Sequence, residues 1–91
     1  ELMANLALVL FEQKNLPESK KIYLQLQNSS NVQVTVESLS HLGIISCIDG
    51  DTAAAINYFE NALKKDYKHQ SARYNLELLK KVFNKKTKQF Q

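Results

Sequence analysis

Residues 50–66 read GDTAAAINYFENALKKD, and this stretch decides the fold of the chain. The Gly-Asp pair at its start is typical of a tight turn, and either of the two residues after the glycine can cap a following helix. Ala55, Phe59 and Ala62 are spaced four and three residues apart, so they share one face of that helix. Small residues on this face let a second helix approach closely, while the aromatic ring fills the space between the two helices.

Helical spacing of apolar residues continues over most of the remaining chain. It predicts helices over residues 1–13, 16–27, 33–48, 52–65 and 70–83, with polar or Gly/Pro-containing breaks between them. The alternation of Val32, Val34 and Val36 would by itself suggest a short strand. No second strand candidate exists to pair with it, and an unpaired strand is not stable. We therefore expect an all-α chain of five helices.

The helices repeat in register. Each of four positions in the first helix pair lies 36 residues before its counterpart in the second pair: Ala7 and Gly43, Ser19 and Ala55, Tyr23 and Phe59, Leu26 and Ala62. Leu76 follows Leu42 by 34 residues, which carries the pattern into the fifth helix. The residues expected to pack the helices together are Ala7, Ser19, Tyr23, Leu42, Gly43, Ala55, Phe59 and Ala62.

This spacing and these residues resemble the tetratricopeptide repeat (TPR) family, whose unit is a helix–turn–helix pair. The resemblance implies a TPR-like right-handed helical-hairpin solenoid of five helices. Its parts would be a degenerate repeat (1–31), a well-matched repeat (32–69), a capping helix (70–83) and a basic tail (84–91). Glu77 stands where the family has a small residue, which fits a terminal cap better than an internal repeat. Since the chain begins with Glu1 and its first helix starts at once, we expect a fragment of a longer chain.

In the TPR family the first helix of each pair lines a concave groove. The repeat register assigns ten residues of this chain to groove-facing positions. This groove set comprises Leu8, Phe11, Ser40, His41, Ile44, Cys47, Ile48, Tyr74, Asn75 and Leu78. Most of these side chains are apolar, and exposed apolar area of this kind often receives a partner's helix. The implied function is a non-catalytic protein–protein interaction or assembly scaffold that binds a helix or peptide, or a second copy of the chain. Burial of part of the set as core is the alternative, because one sequence does not establish which way a helix faces.

The charge of the chain is uneven. The 91 residues carry a net charge of +3 at pH 7, yet five lysines lie in the last twelve residues without an acid among them. They are Lys80, Lys81, Lys85, Lys86 and Lys88. An alternative function is binding of nucleic acid or an anionic surface through this cluster. Because lysines at a chain end are usually solvated, we expect nucleic acid not to be the partner.

No motif indicates catalysis, a metal or a cofactor, so we expect none of the three. His41 and Cys47 are six residues apart, whereas a helical metal pair needs three- or four-residue spacing. Cys47 is the only cysteine, which excludes an intrachain disulfide. The longest apolar run, residues 6–11, is far shorter than the ~20 residues that a membrane span requires. We expect a cytoplasmic protein, with a processed exported chain as the open alternative.

Overall fold

The structure, a computed structural model, describes the backbone of residues 1–89 and the side chains of residues 1–83. That backbone contains helices and no strand, which confirms the all-α prediction. The helices are α1 (Leu2–Glu12), α2 (Leu16–Leu26), α3 (Val32–Ile48), α4 (Thr52–Lys65) and α5 (Gln70–Gln89). The first four agree with the predicted ranges to within one residue at each end.

The valine-rich stretch forms the first turn of α3. Asn31 caps this helix, because its side-chain oxygen accepts a hydrogen bond from the Val34 amide at 3.2 Å. The Thr35 hydroxyl donates to the Ser29 carbonyl at 2.9 Å, which ties the start of the helix to the preceding loop. These local bonds explain why a pattern that alternates like a strand adopts helical structure here.

The last helix is longer than predicted. The apolar pattern predicted an end at residue 83 and a basic tail after it, whereas α5 continues to Gln89. Residues 80–89 contain neither Gly nor Pro, and lysine and glutamine are good helix formers, so nothing in this stretch interrupts the helix. The side chains of the predicted tail, residues 84–91, lie outside the described residues.

The two hairpin turns repeat each other in backbone detail. Lys14 and Gly50 lie 36 residues apart, and both adopt left-handed conformations, with φ of 66° and 81°. The amide of Lys14 donates to the Phe11 carbonyl and that of Gly50 to the Cys47 carbonyl, each at 3.0 Å. The same hydrogen bonds therefore close both turns.

A lysine in a left-handed conformation is strained by its Cβ atom, whereas a glycine is not. We expect Lys14→Gly to raise the free energy of unfolding by about 0.5–1 kcal/mol. The reverse change in the second turn, Gly50→Ala, should lower it by about 1 kcal/mol. No atom lies within 4 Å of a Cβ built on Gly50, so only backbone strain would act there. Urea unfolding of both variants checks the pair; equal shifts of the same sign would contradict the strain assigned to these turns.

Consecutive helices pack on one another along the chain, and α3 with α4 forms the most extensive contact. Two groups of buried apolar residues result. The first joins α1, α2 and α3 and comprises Ala7, Tyr23, Leu42 and Ile45. The second joins α3, α4 and α5 and comprises Val36, Leu39, Ala55, Phe59, Ala62, Ala72 and Leu76. The half-buried Tyr58 packs against both groups.

All eight residues expected to pack the helices are buried. A Cβ atom on Gly43 would lie 2.6 Å from Cε1 of Phe59, so the ring occupies the space that any side chain at 43 would need. In the first pair Ala7 takes the place of Gly43, and it contacts Ser19 of α2. There the Ser19 hydroxyl donates to the Ala7 carbonyl at 2.8 Å, which satisfies a polar group that is fully buried.

Candidate functional site

Two contacts bear on the arrangement of α1, α3 and α5, the helices that carry the groove set. Phe11 of α1 meets the ring of His41 on α3 edge-on, with centroids 5.2 Å apart. Ile44 of α3 packs against the buried group that contains Ala72 and Leu76 of α5. One ring contact therefore joins α1 to α3 directly, and α3 and α5 contribute to one buried group together with α4.

The groove set divides by exposure. Its exposed members are Leu8, Cys47, Ile48, Tyr74 and Leu78. Its half-buried members are Phe11, His41, Ile44 and Asn75, and Ser40 is buried. The exposed five, which we call the exposed groove residues, carry no formal charge at neutral pH. These five side chains are accessible to a partner, whereas Ser40 is buried in the interior.

Equivalent positions relate these residues on the three helices. Leu8, Ile44 and Leu78 are separated by 36 and 34 residues, so they occupy one place in three successive helices. Ser40 and Tyr74 correspond in the same way, as do Phe11 and Cys47. An apolar side chain thus recurs at the position of Leu8, Ile44 and Leu78 in all three helices.

Contacts with three neighbouring residues fix the position of the His41 ring. Its ring stacks on Tyr23 with centroids 4.8 Å apart and an interplanar angle of 11°, and it meets Phe11 edge-on. Its Nδ1 lies 2.9 Å from the Glu37 carbonyl oxygen, which only accepts, so Nδ1 carries the proton in this contact. The imidazole therefore joins α1, α2 and α3.

Tyr23, beneath this imidazole, has a raised pKa. Burial is the main cause, and the negative charges of Glu37 and Glu12 add to it, bringing the pKa to about 12. The folded chain thus favours the neutral phenol more than the unfolded chain does. This contribution to stability is complete below pH ~10 and is lost as the pH rises through ~12.

We expect the free energy of unfolding to fall by about 2 kcal/mol between pH ~8 and ~11.5 through Tyr23 alone. Tyr23→Phe keeps the ring and removes the ionisation, so this variant should lose about that much less over the same range. Denaturant unfolding at the two pH values measures both chains. Tyr67→Phe, at an exposed tyrosine, is the control and should behave like the wild type. The prediction fails if Tyr23→Phe and wild type lose stability in parallel.

Cys47 is exposed, and partial desolvation raises the pKa of its thiol above the ordinary value. The thiolate, which is the reactive form, is therefore disfavoured at neutral pH. Among residues 1–83 no three His, Cys, Asp or Glu side chains come close enough to hold a metal ion. None of the described helices is long and apolar enough to cross a membrane.

A cleft lies where the start of α3 and the end of α4 meet the segment that connects α4 to α5. This cleft of about 460 Å³ is lined by Val32, Gln33, Val36, Glu37, Lys65, Asp66 and His69. Sequence reasoning missed it because its residues come from two helix ends and a connecting segment, which only the tertiary fold brings together. Its lining mixes both charge signs, unlike the exposed groove residues.

The chain was compared with protein-family models, with curated proteins and with solved structures, and none of the three comparisons found a match. The TPR assignment therefore depends on the residues of this chain and their arrangement. The groove set likewise stays a prediction, now with the exposure of each member described.

Proposed function

We propose that this chain is a TPR-like module of stacked helical hairpins that binds a partner's helix or peptide along α1, α3 and α5. The observation that carries the proposal is the set of five uncharged, exposed groove residues on α1, α3 and α5. Contiguous exposed apolar patches larger than a few hundred Å² often mark sites of association in soluble proteins. The module would act as an interaction or assembly scaffold and would perform no chemistry itself.

The repeated hairpin turn supports the stacked arrangement. Each unit of a helical-hairpin stack is apolar on more than one side, and neighbouring units bury the faces that a single hairpin would expose. The left-handed residues at 14 and 50, with identical hydrogen bonds, give the two hairpins the same entry into their second helices. Equivalent first helices would then present equivalent positions, as Leu8, Ile44 and Leu78 do.

The binding mechanism would be burial of an apolar face of the partner. Each Å² of apolar surface removed from water contributes roughly 25 cal/mol, part of which is offset by the entropy lost on association. Leu8, Ile48 and Leu78 would supply aliphatic contacts, and Tyr74 adds a rigid aromatic ring with a hydroxyl that can donate to the partner. An amphipathic helix with apolar residues at i, i+3 or i+4 and i+7 fits such a surface.

Substitutions at the ends of the surface test the proposal. Leu8→Asp and Leu78→Asp each place a charge where the partner's apolar face would lie, so each should weaken binding at least about tenfold. The partner would be an amphipathic helical peptide selected from a displayed library against the wild-type chain, with affinity measured by fluorescence anisotropy. Leu24→Asp on α2 is the matched control, because Leu24 and Leu8 are 37% and 38% exposed.

We expect Leu24→Asp to bind the peptide like the wild type. Circular dichroism must show all three variants helical, so that loss of binding is not loss of fold. Equal affinity of Leu8→Asp, Leu78→Asp and wild type would remove α1 and α5 from the binding surface.

Salt separates this mechanism from the alternative, in which the lysine cluster binds an anionic partner. Lys80 and Lys81 are exposed, while Lys85, Lys86 and Lys88 lie outside the described side chains. Apolar binding should survive a rise from about 0.15 to about 0.5 M salt with little change, whereas lysine-mediated binding should fall steeply.

A further inference from the structure

We propose that two copies of this chain associate head to head through α1, about a two-fold axis that passes beside Leu6. The observation behind this is a strip of five apolar residues on α1: Leu2, Met3, Leu6, Val9 and Leu10. Leu2 is 87% exposed, Met3, Leu6 and Val9 are also exposed, and Leu10 is half-buried. This α1 strip is separate from the groove set, so the proposal does not depend on groove binding.

The corresponding face of α3 is buried. The residues 36 positions after the α1 strip are Ser38, Leu39, Leu42, Ile45 and Ser46, and the structure buries all five. Leu42 and Ile45 pack there with Tyr23 of α2. The α1 strip thus has the position and character of a helix-packing face, but no helix of the described chain covers it.

The face of α5 that would continue the stack of hairpins is polar, which disfavours a head-to-tail contact between copies. The α5 residues that lie 34 positions after residues 36, 39, 43 and 46 of α3 are Gln70, Arg73, Glu77 and Lys80, and all four are exposed. Packing the α1 strip of one copy on this face would bury charges against leucines without partners for them. Pairing α1 with α1 instead matches apolar surface with apolar surface.

The α1 strip is symmetric about its centre. Its members lie four and three residues before Leu6 and three and four residues after it. An antiparallel pairing about a two-fold axis therefore sets Leu2 against Leu10 of the second copy, Met3 against Val9, and Leu6 against itself. At ~100° per residue the strip covers about 120° of the helix surface, and none of its residues is charged.

The size of the strip sets the strength of the dimer. A helix of 11 residues is about 16 Å long, so the contact is smaller than the ~800 Å² per partner of a standard interface. We therefore expect a reversible dimer with a dissociation constant of roughly 10–200 µM rather than an obligate one.

Sedimentation velocity of the 91-residue chain from about 5 to about 500 µM tests the association. The wild type should pass from monomer to dimer over this range, and Leu6→Asp should raise the dissociation constant at least about tenfold. Leu78→Asp is the matched control, since Leu78 and Leu6 are 44% and 47% exposed, and it should dimerise like the wild type. A chain that is monomeric at every concentration overturns the proposal and leaves the strip to another polypeptide. A dimer that Leu6→Asp does not weaken, or that Leu78→Asp abolishes, overturns the assignment to α1.

Cysteine cross-linking tests the two-fold axis directly. In a Cys47→Ser background, Leu6→Cys places one thiol in each copy beside the proposed axis, and mild oxidation should give a disulfide-linked dimer in high yield. Leu24→Cys, on α2, should give little. Dimerisation without cross-linking at residue 6 would contradict the antiparallel α1 contact.

Discussion

Phe59→Ala should lower the free energy of unfolding by about 3–5 kcal/mol, a large part of the roughly 5–10 kcal/mol expected for a domain of this size. Phe59 is fully buried and belongs to the group that joins α3, α4 and α5. Removing its ring empties the space beside Gly43, where no side chain exists to fill the cavity. Urea unfolding followed by circular dichroism measures the loss. The exposed Tyr67 is the control, and its change to alanine should alter stability by less than about 0.5 kcal/mol.

The close approach of the Phe59 ring to Gly43 allows a second test, in which both positions are changed together. Gly43→Ala should destabilise by about 1–3 kcal/mol despite the higher helix propensity of alanine, because the new Cβ would lie 2.6–2.8 Å from three ring atoms. Phe59→Leu removes two of those atoms, Cε1 and Cζ. In that background Gly43→Ala should therefore cost at least about 1 kcal/mol less than it does alone. Strictly additive effects would contradict the close approach of α3 and α4.

Leu42→Ala should lower the free energy of unfolding by about 2–5 kcal/mol, with the loss concentrated in the first helix pair. Leu42 is fully buried, but it belongs to the group that joins α1 and α2 to α3. Since the two groups share no buried residue and α1 and α2 contribute only to this one, the first pair should open more readily than the rest. Amide hydrogen exchange read by mass spectrometry should speed up most in α1 and α2.

Leu39→Ala is the matched control, because it removes the same atoms one turn earlier on the same helix. Leu39 belongs to the second buried group, so its loss should speed exchange most in α4 and α5. The same pattern of exchange in both variants would show that the five helices open as one unit, which would contradict the independent opening of the first pair.

Much of the fold follows from spacing alone. Ala55, Phe59 and Ala62 share a face at any helix geometry, and the 36-residue register carries their roles to Ser19, Tyr23 and Leu26. The helix ends were predictable where a cap or a breaker marks them, as in the two hairpin turns. At the end of α5 no such residue stands, so the apolar pattern stopped at 83 while the backbone continued to Gln89.

The candidate site was harder to predict, because exposure is a property of the packed molecule. Ser40 and Ile48 belong to the same predicted set, yet one is buried and the other exposed, and a single sequence does not show how far the neighbouring helices cover each. His41 was expected at the edge of the groove, and the structure holds it between Tyr23 and Phe11. The α1 strip could have been found from sequence by applying the 36-residue register to Leu6 and Val9, whose counterparts Leu42 and Ile45 are core residues.

The central claim is that a partner lies along α1, α3 and α5, and Cys47 allows a direct test of it. Cys47 is the only cysteine of the chain, is exposed, and lies in α3 between the other two helices. The measurement is the rate at which a maleimide labels Cys47, with and without a saturating amount of the selected helical peptide. We predict at least about tenfold slower labelling when the peptide is bound, because its apolar face would cover the thiol. Unchanged labelling at full peptide occupancy would place the partner elsewhere and contradict the claim.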